Sequence, residues 1–107
     1  MRYDQCPLTH ALSKVGVKWK PIIISHLKDS PKRFGKLDVL IPKISRKVFA
    51  SQLSELVNHK MLYRISFCET SPRVEYRLTK KGKKLVPIFE SVAEWSFELV
   101  HANKEKN

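Results

Sequence analysis

Glycine is scarce in this chain, three residues in 107, and acidic side chains are outnumbered, ten against 21 lysines and arginines. No Gly-rich loop is available to cradle a phosphate, and no strand-to-helix elbow presents a nucleophile. No two carboxylates are spaced for acid–base work. The chain reads as something other than an enzyme. Two cysteines, Cys6 and Cys68, do not make the disulfide framework of a small secreted fold. Apolar runs such as Pro21 to Ile24 and Val39 to Pro42 fall far short of the roughly 20 residues that span a bilayer. The first residues turn polar quickly and no small-residue cleavage pattern follows, so no secretory signal is expected. A cytoplasmic protein with reduced thiols is the expectation. His10, His26, His59 and His101 share no metal-ligand spacing with one another or with the cysteines, and neither metal nor other cofactor is expected.

Positive charge is abundant. A net charge of +11 on so short a chain favours a polyanionic partner, either nucleic acid or an anionic membrane surface. The length suits one domain over residues 1–107, and no linker, repeat or low-complexity tract divides it. Only Asn103 to Asn107 reads as a frayed tail.

The spacing predicts a first helix from Pro7 to about Val15, with Leu8, Ala11, Leu12 and Val15 on one side and Gly16 at its end. A second covers about Lys18 to Lys28, with Trp19, Ile22, Ile23 and Leu27 inward. Pro21 is tolerable there because it falls in the first turn. A short third helix, about Arg33 to Leu40, buries Phe34, Leu37 and Leu40. Ser45 then caps a fourth helix to about His59, whose Phe49, Leu53, Leu56 and Val57 form a buried stripe. Leu62 to Cys68 and Val74 to Leu78 alternate as an antiparallel hairpin with its tip at Glu69 to Pro72. Thr79 caps a long last helix, in which Pro87 is expected to cause a kink or a fresh start. Together these make a compact α+β domain.

The fourth helix is the most informative element. Opposite its apolar stripe stand Lys47, Ala50, Ser51 and Ser54, small or basic residues that let a backbone approach a groove and pair with phosphate. Followed by a positive hairpin, this is the pattern of a winged helix-turn-helix that reads DNA. Arg46 and Lys47 occupy the first turn, where such helices reach base edges, although Arg46 lies nearer the stripe and has a phosphate as its alternative. Ser45, Ser51 and Ser54 suit phosphate or base contacts, and Ala50 a thymine methyl. Gln52 lies toward the core and is left as a flank. At the wing, Arg73 is the best candidate for a minor-groove or phosphate contact. Arg64 and Arg77 are equally suited to Glu75 or to DNA. Lys32 and Arg33 suit backbone clamping. Lys80, Lys81, Lys83 and Lys84 crowd a helix start, against the dipole, and mark either a nearby phosphate or a solubilising face.

Several strings resemble the HxlR family of winged helix-turn-helix regulators, itself MarR-like. They are Cys6-Pro7 before Ala11-Leu12, Gly16-x-Lys18-Trp19, Arg33-Phe34-x-x-Leu37, Ile44-Ser45, Leu53-x-x-Leu56 and a late Trp95. Most specific is Pro72-Arg73-Val74-Glu75-Tyr76-x-Leu78-Thr79-x-x-Gly82. The match runs from about Cys6 to Trp95. The resemblance implies a homodimer on an inverted-repeat operator, with the fourth helix in the major groove, and, in some members, a sensing cysteine where Cys6 stands. It also departs at Lys60, where members usually carry glycine. A lysine in a left-handed turn there costs about 1 kcal/mol, unless the helix ends earlier, at Asn58.

Cys6 sits at a helix start, where unpaired N–H groups and nearby basic residues favour a thiolate; the alternative is a small packing residue. The last helix carries Phe89, Val92, Trp95, Phe97 and Leu99 on more than one face. With Leu8 and Leu12 of the first helix they are expected to form a two-fold interface through the terminal helices. The leading reading is a sequence-specific regulator binding a double-stranded operator, redox- or electrophile-responsive through Cys6. The competing readings are a non-specific or architectural nucleic-acid binder and a winged helix used to bind protein.

Overall fold

The computed structural model describes residues 6–16, 18–68, 70 and 72–106, with side chains described as far as Val100. Its elements are α1 (Pro7–Val15), α2 (Lys20–His26), β1 (Lys32–Arg33), α3 (Phe34–Leu40), α4 (Arg46–Asn58), β2 (Leu62–Phe67), β3 (Arg73–Leu78) and α5 (Lys80–Lys106). The fold is α+β, with helices packed on one antiparallel sheet in the order β1-β3-β2. The sequence reading has two strands; the structure adds β1, which pairs Lys32 with Tyr76 and Arg33 with Glu75. Two residues are too short for alternation to register, so β1 is created by its partner strand and not by its own pattern. Lys32 and Arg33 therefore stand in a strand before α3 and not in its first turn. Two residues of the hairpin tip, Glu69 and Ser71, lie outside the described residues.

Local chemistry explains α4. The Ser45 hydroxyl accepts a hydrogen bond from the Val48 N–H at 3.2 Å, and Phe49, Leu53 and Leu56 are fully buried. Phe34 meets Phe49 with ring centroids 5.1 Å apart, fixing α3 against α4. The helix ends at Asn58, yet Lys60 still adopts φ 66°. The Met61 N–H bonds the Leu56 carbonyl and the Lys60 N–H bonds the Val57 carbonyl, a Schellman closure that requires the left-handed residue. Earlier termination thus does not spare Lys60 the strain.

The core phase of α2 differs from the sequence reading by one residue. Lys20, Ile23, Ile24 and Leu27 face inward, at i, i+3, i+4 and i+7, while Ile22 is exposed and Trp19 only half-buried. Lys20 is 1% exposed, and its Nζ lies 2.9 Å from Oε1 of Glu55 on α4. A lysine on a buried stripe misdirects any pattern built on apolar residues alone.

Thr79 joins the wing to α5. Its hydroxyl accepts from the Gly82 N–H at 3.0 Å and donates to the Lys60 carbonyl at 2.6 Å, while its own N–H bonds the Met61 carbonyl. A Cβ on Gly82 would overlap that Met61 carbonyl oxygen, so only glycine lets α5 start this close to the α4–β2 turn. From there α5 runs unbroken for 27 residues with Pro87 inside it. Pro87 and Lys83 are both exposed, so the carbonyl that the missing N–H leaves free lies on the solvent side of the helix, and no fresh start is needed. Helix also continues through residues 103–106, where a frayed tail was expected. Leu85, Val86 and Phe89 pack on the core, but residues 90–100 are all exposed. The radius of gyration, 16.1 Å, exceeds the roughly 13 Å of a globular chain this long because half of α5 stands clear.

Candidate nucleic-acid interface

α3 is anchored in the core by Leu37 and α4 by Phe49, Leu53 and Leu56, which leaves the outer face of α4 as a fixed surface. Lys47, Ala50, Ser51 and Ser54 are exposed on it. Ser45, also exposed, is engaged as the α4 cap, and its hydroxyl hydrogen remains available to an acceptor such as phosphate. Arg46 reaches back across the turn, its Nε 3.1 Å from Oδ2 of Asp38 on α3. Arg46 is largely exposed and Asp38 is not, so the pair orients the guanidinium without burying it. Gln52 is half-buried with its Oε1 enclosed and unpartnered. Val48 beside Lys47 is 41% exposed, and Lys43 is exposed in the turn before α4. Neither was singled out from sequence: Val48 lies one position off the core stripe, and a lone turn lysine carries no pattern.

The wing differs from expectation in how its arginines are used. Glu75 takes neither Arg64 nor Arg77; its Oε2 lies 3.0 Å from Nε of Arg73. Arg73 is half-buried and stacks over Phe67 at 4.3 Å, so its guanidinium is folded onto the hairpin instead of projecting from the tip. Arg64 donates to the Ser66 hydroxyl at 3.3 Å, and Arg77 lies 5.2 Å over the Tyr63 ring. Arg64 and Arg77 are exposed, and they make up the outward positive charge of the hairpin among its described residues. Lys32 is half-buried with its Nζ 3.3 Å from the Ser30 hydroxyl, and Arg33 is exposed. The structure thus gathers the α4 residues on one face and withdraws Arg73 from the edge.

Cys6 immediately precedes α1, with Pro7 in the first turn. The Thr9 hydroxyl lies 2.9 Å from Sγ. That hydrogen bond, followed by the backbone N–H groups of Thr9 and Leu8, lowers the thiol pKa from its ordinary value, and partial desolvation opposes them. Hydrogen bonds at the helix start supply the effect that the sequence reading assigned in part to basic neighbours. Cys68 is exposed beyond β2.

The apolar residues assigned to a partner surface divide in two. Leu8, Leu12, Val92, Trp95, Phe97 and Leu99 are exposed, Trp95 by 62%. Phe89 is half-buried against the core, because it lies in the part of α5 that packs on α2. Among the described residues no helix is long and apolar enough to cross a membrane.

Residues 14–104 match the sequence profile of a family described as HxlR-like helix-turn-helix. An HTH-type transcriptional regulator of Methanothermobacter thermautotrophicus is 38% identical over 90 residues, covering 84% of this chain and 69% of that protein. The HTH-type transcriptional regulator YodB of Bacillus subtilis is 38% identical over 97 residues, covering 90% and 87%. The quinone-bound crystal structure of YodB superimposes with a TM-score of 0.76 at 33% identity, covering 87% of this chain and 97% of that one. The reduced form of the redox regulator HypR gives 0.84 at 31% identity, covering 92% and 98%.

Proposed function

We propose, from the premise that this chain belongs to the HxlR-like helix-turn-helix family, that it regulates transcription as a homodimer on an inverted-repeat operator and responds to oxidants or electrophiles through Cys6. Members of this family are HTH-type transcriptional regulators and not enzymes. The observation that carries the operator reading is the outer face of α4, where small side chains and Lys47 stand exposed on a helix locked to the core at three buried positions. Lys47 and Ser54 address the major groove; Ser45, Arg46 and Ser51 address groove or phosphate; Ala50 and Val48 offer apolar contact to a thymine methyl. Lys32, Arg33 and, once released from Glu75, Arg73 complete a phosphate clamp, joined by Arg64 and Arg77 from the exposed side of the wing.

Exposed Leu8 and Leu12 on α1, with Val92, Trp95 and Leu99 on the free half of α5, supply the two-fold contact, and Phe89 borders it from the core side. The protein then works as one unit over residues 1–107, in the cytoplasm where its DNA target lies. Cys6 stands at the root of α1, beside this contact. A relative in the family has been solved with quinone bound and another is named a redox regulator, which supports assigning this thiol the sensing role. Modification at Cys6 would change the angle between the two protomers, and both α4 helices must engage together for tight binding.

The test is titration of the upstream DNA of its own gene against a scrambled duplex across a range of salt. A regulator discriminates by 1,000-fold or more, roughly, and loses affinity steeply as salt rises. Lys47→Glu removes the discrimination while the fold persists, and Trp95→Asp yields a monomer by light scattering with weakened binding. Equal affinity for both duplexes overturns the reading in favour of an architectural protein. Wild-type DNA release by diamide in a Cys6→Ser variant overturns the sensing role.

A further inference from the structure

A cleft of about 470 Å³ opens between α1, the turn that follows α4 and the first turns of α5, away from the outer face of α4. Its size falls within the range of small-molecule sites. Lys14 enters from α1, His59 from the cap of α4, and Lys81 and Lys84 from α5, while Met61 and Leu85 supply an apolar floor. No carboxylate stands among the lining residues. Three ammonium groups around one apolar cleft repel one another, and Lys81 and Lys84 also oppose the α5 dipole, so the arrangement is stabilised by an anion placed among them.

His59 adds a second observation. Its Nδ1 is enclosed with no hydrogen-bond partner. Burial first, then Lys14 and Lys20, push the imidazole pKa down against the opposing pull of Glu55, which favours the neutral ring, with one N–H donor and one acceptor nitrogen to satisfy. The crowding of lysines at residues 80–84 also gains a reason. Lys81 and Lys84, three apart, share the face toward α1, while Lys83 borders a different depression, toward the end of α2.

We propose that this cleft binds a small amphipathic anion, an apolar body bearing one carboxylate or phosphate, with its head among Lys14, Lys81 and Lys84 and its body on Met61 and Leu85. A nucleic-acid phosphate offers no apolar body for that floor, and the cleft lies at the C-terminal end of α4, about 20 Å along the helix from Ser45. The assignment concerns the folded protomer and stands whether or not the operator reading does.

The chain has two methionines, so methyl-¹³C methionine labelling gives a simple spectrum in which Met61, which lines the cleft, reports on its occupancy. Titration uses hexanoate, hexyl phosphate, hexanamide and inorganic phosphate, without DNA. Saturable movement of the Met61 methyl by hexanoate or hexyl phosphate is expected, and the tighter of the two identifies a carboxylate or a phosphate monoester as the head group. Hexanamide and inorganic phosphate should each bind about tenfold more weakly or worse, a loss equivalent to one lost charge pair or one lost apolar contact. Lys14→Gln and Lys84→Gln should weaken the anion several-fold without lowering the melting temperature of the free protein, while Lys36→Gln on the exposed side of α3 leaves anion binding untouched. The proposal is overturned if neither amphipathic anion moves Met61. It fails equally if hexanamide matches hexanoate, if inorganic phosphate matches hexyl phosphate, or if Lys14→Gln and Lys84→Gln bind as wild type does.

Discussion

Replacing Glu55 with alanine is expected to cost far more stability than replacing Lys20 with methionine, although both remove the same ion pair. The Lys20 side chain is 1% exposed and the Glu55 side chain 46%. Without Glu55 an ammonium is left enclosed with no counter-charge, a change that costs about 3–5 kcal/mol in a dry interior. Water entering the space left by a half-exposed carboxylate brings this to the lower end, about 3 kcal/mol, or roughly 15 °C in Tm for a domain of this size. Methionine at position 20 keeps most of the aliphatic stem that packs beside Ile23 and Ile24, and water solvates the Glu55 carboxylate. That change stays within about 1 kcal/mol.

Combined in one chain, the two substitutions recover most of the loss, with a coupling of about 2 kcal/mol. Urea unfolding at fixed protein concentration measures all four corners. The pair also sets a pH dependence. The hydrogen bond and charge of Lys20 hold the Glu55 pKa below the ordinary glutamate value. Its contribution is therefore full above the unfolded value of about 4.3, and it disappears as pH falls through the lowered folded value. Lys20→Met should remove most of that acid slope, since Lys20 is the leading cause of the lowering. The reasoning is refuted if Glu55→Ala lies within about 0.5 kcal/mol of wild type, the spread of ordinary surface changes, or if Lys20→Met is the costlier substitution.

Three further substitutions probe the frame around the interface. Lys60→Gly relieves the left-handed strain at φ 66° and should raise stability by about 1 kcal/mol, read as a higher urea midpoint at unchanged slope. Gly82→Ala forces a methyl into the Met61 carbonyl and should lower stability by about 1–3 kcal/mol, measured the same way. Thr9→Val removes the hydroxyl that donates to the Cys6 thiolate. In a Cys68→Ser background the midpoint of its iodoacetamide pH profile should move upward, so that alkylation slows at neutral pH.

Much of the fold was legible in the sequence because most elements carry conventional signals. Ser45 before an apolar stripe, alternation through Val74, Tyr76 and Leu78, and Thr79 ahead of a helix each declared an element at its observed place. Where the reading failed, the cause was non-local. The short β1 exists only because β3 offers it an edge. The phase of α2 is set by Lys20, whose burial depends on a carboxylate 35 residues away. Arg73 sits at the expected register of the wing, but its side-chain direction is decided by Glu75 and Phe67 together. On α4 the exposure of Lys47, Ala50, Ser51 and Ser54 followed from period alone, whereas that of Val48 did not. The cleft beside His59 draws on α1, α5 and the turn after α4, and no local pattern contains it.

Selection from a random duplex library tests most directly whether two α4 helices read DNA together. Enriched sequences should be inverted repeats with half-site centres about one helical turn, roughly 10 base pairs, or a multiple of it apart. Trp95→Asp should lose the repeat, and Lys47→Glu should lose enrichment altogether. Recovery of unrelated sequences with no repeat, at wild-type affinity, would contradict the account.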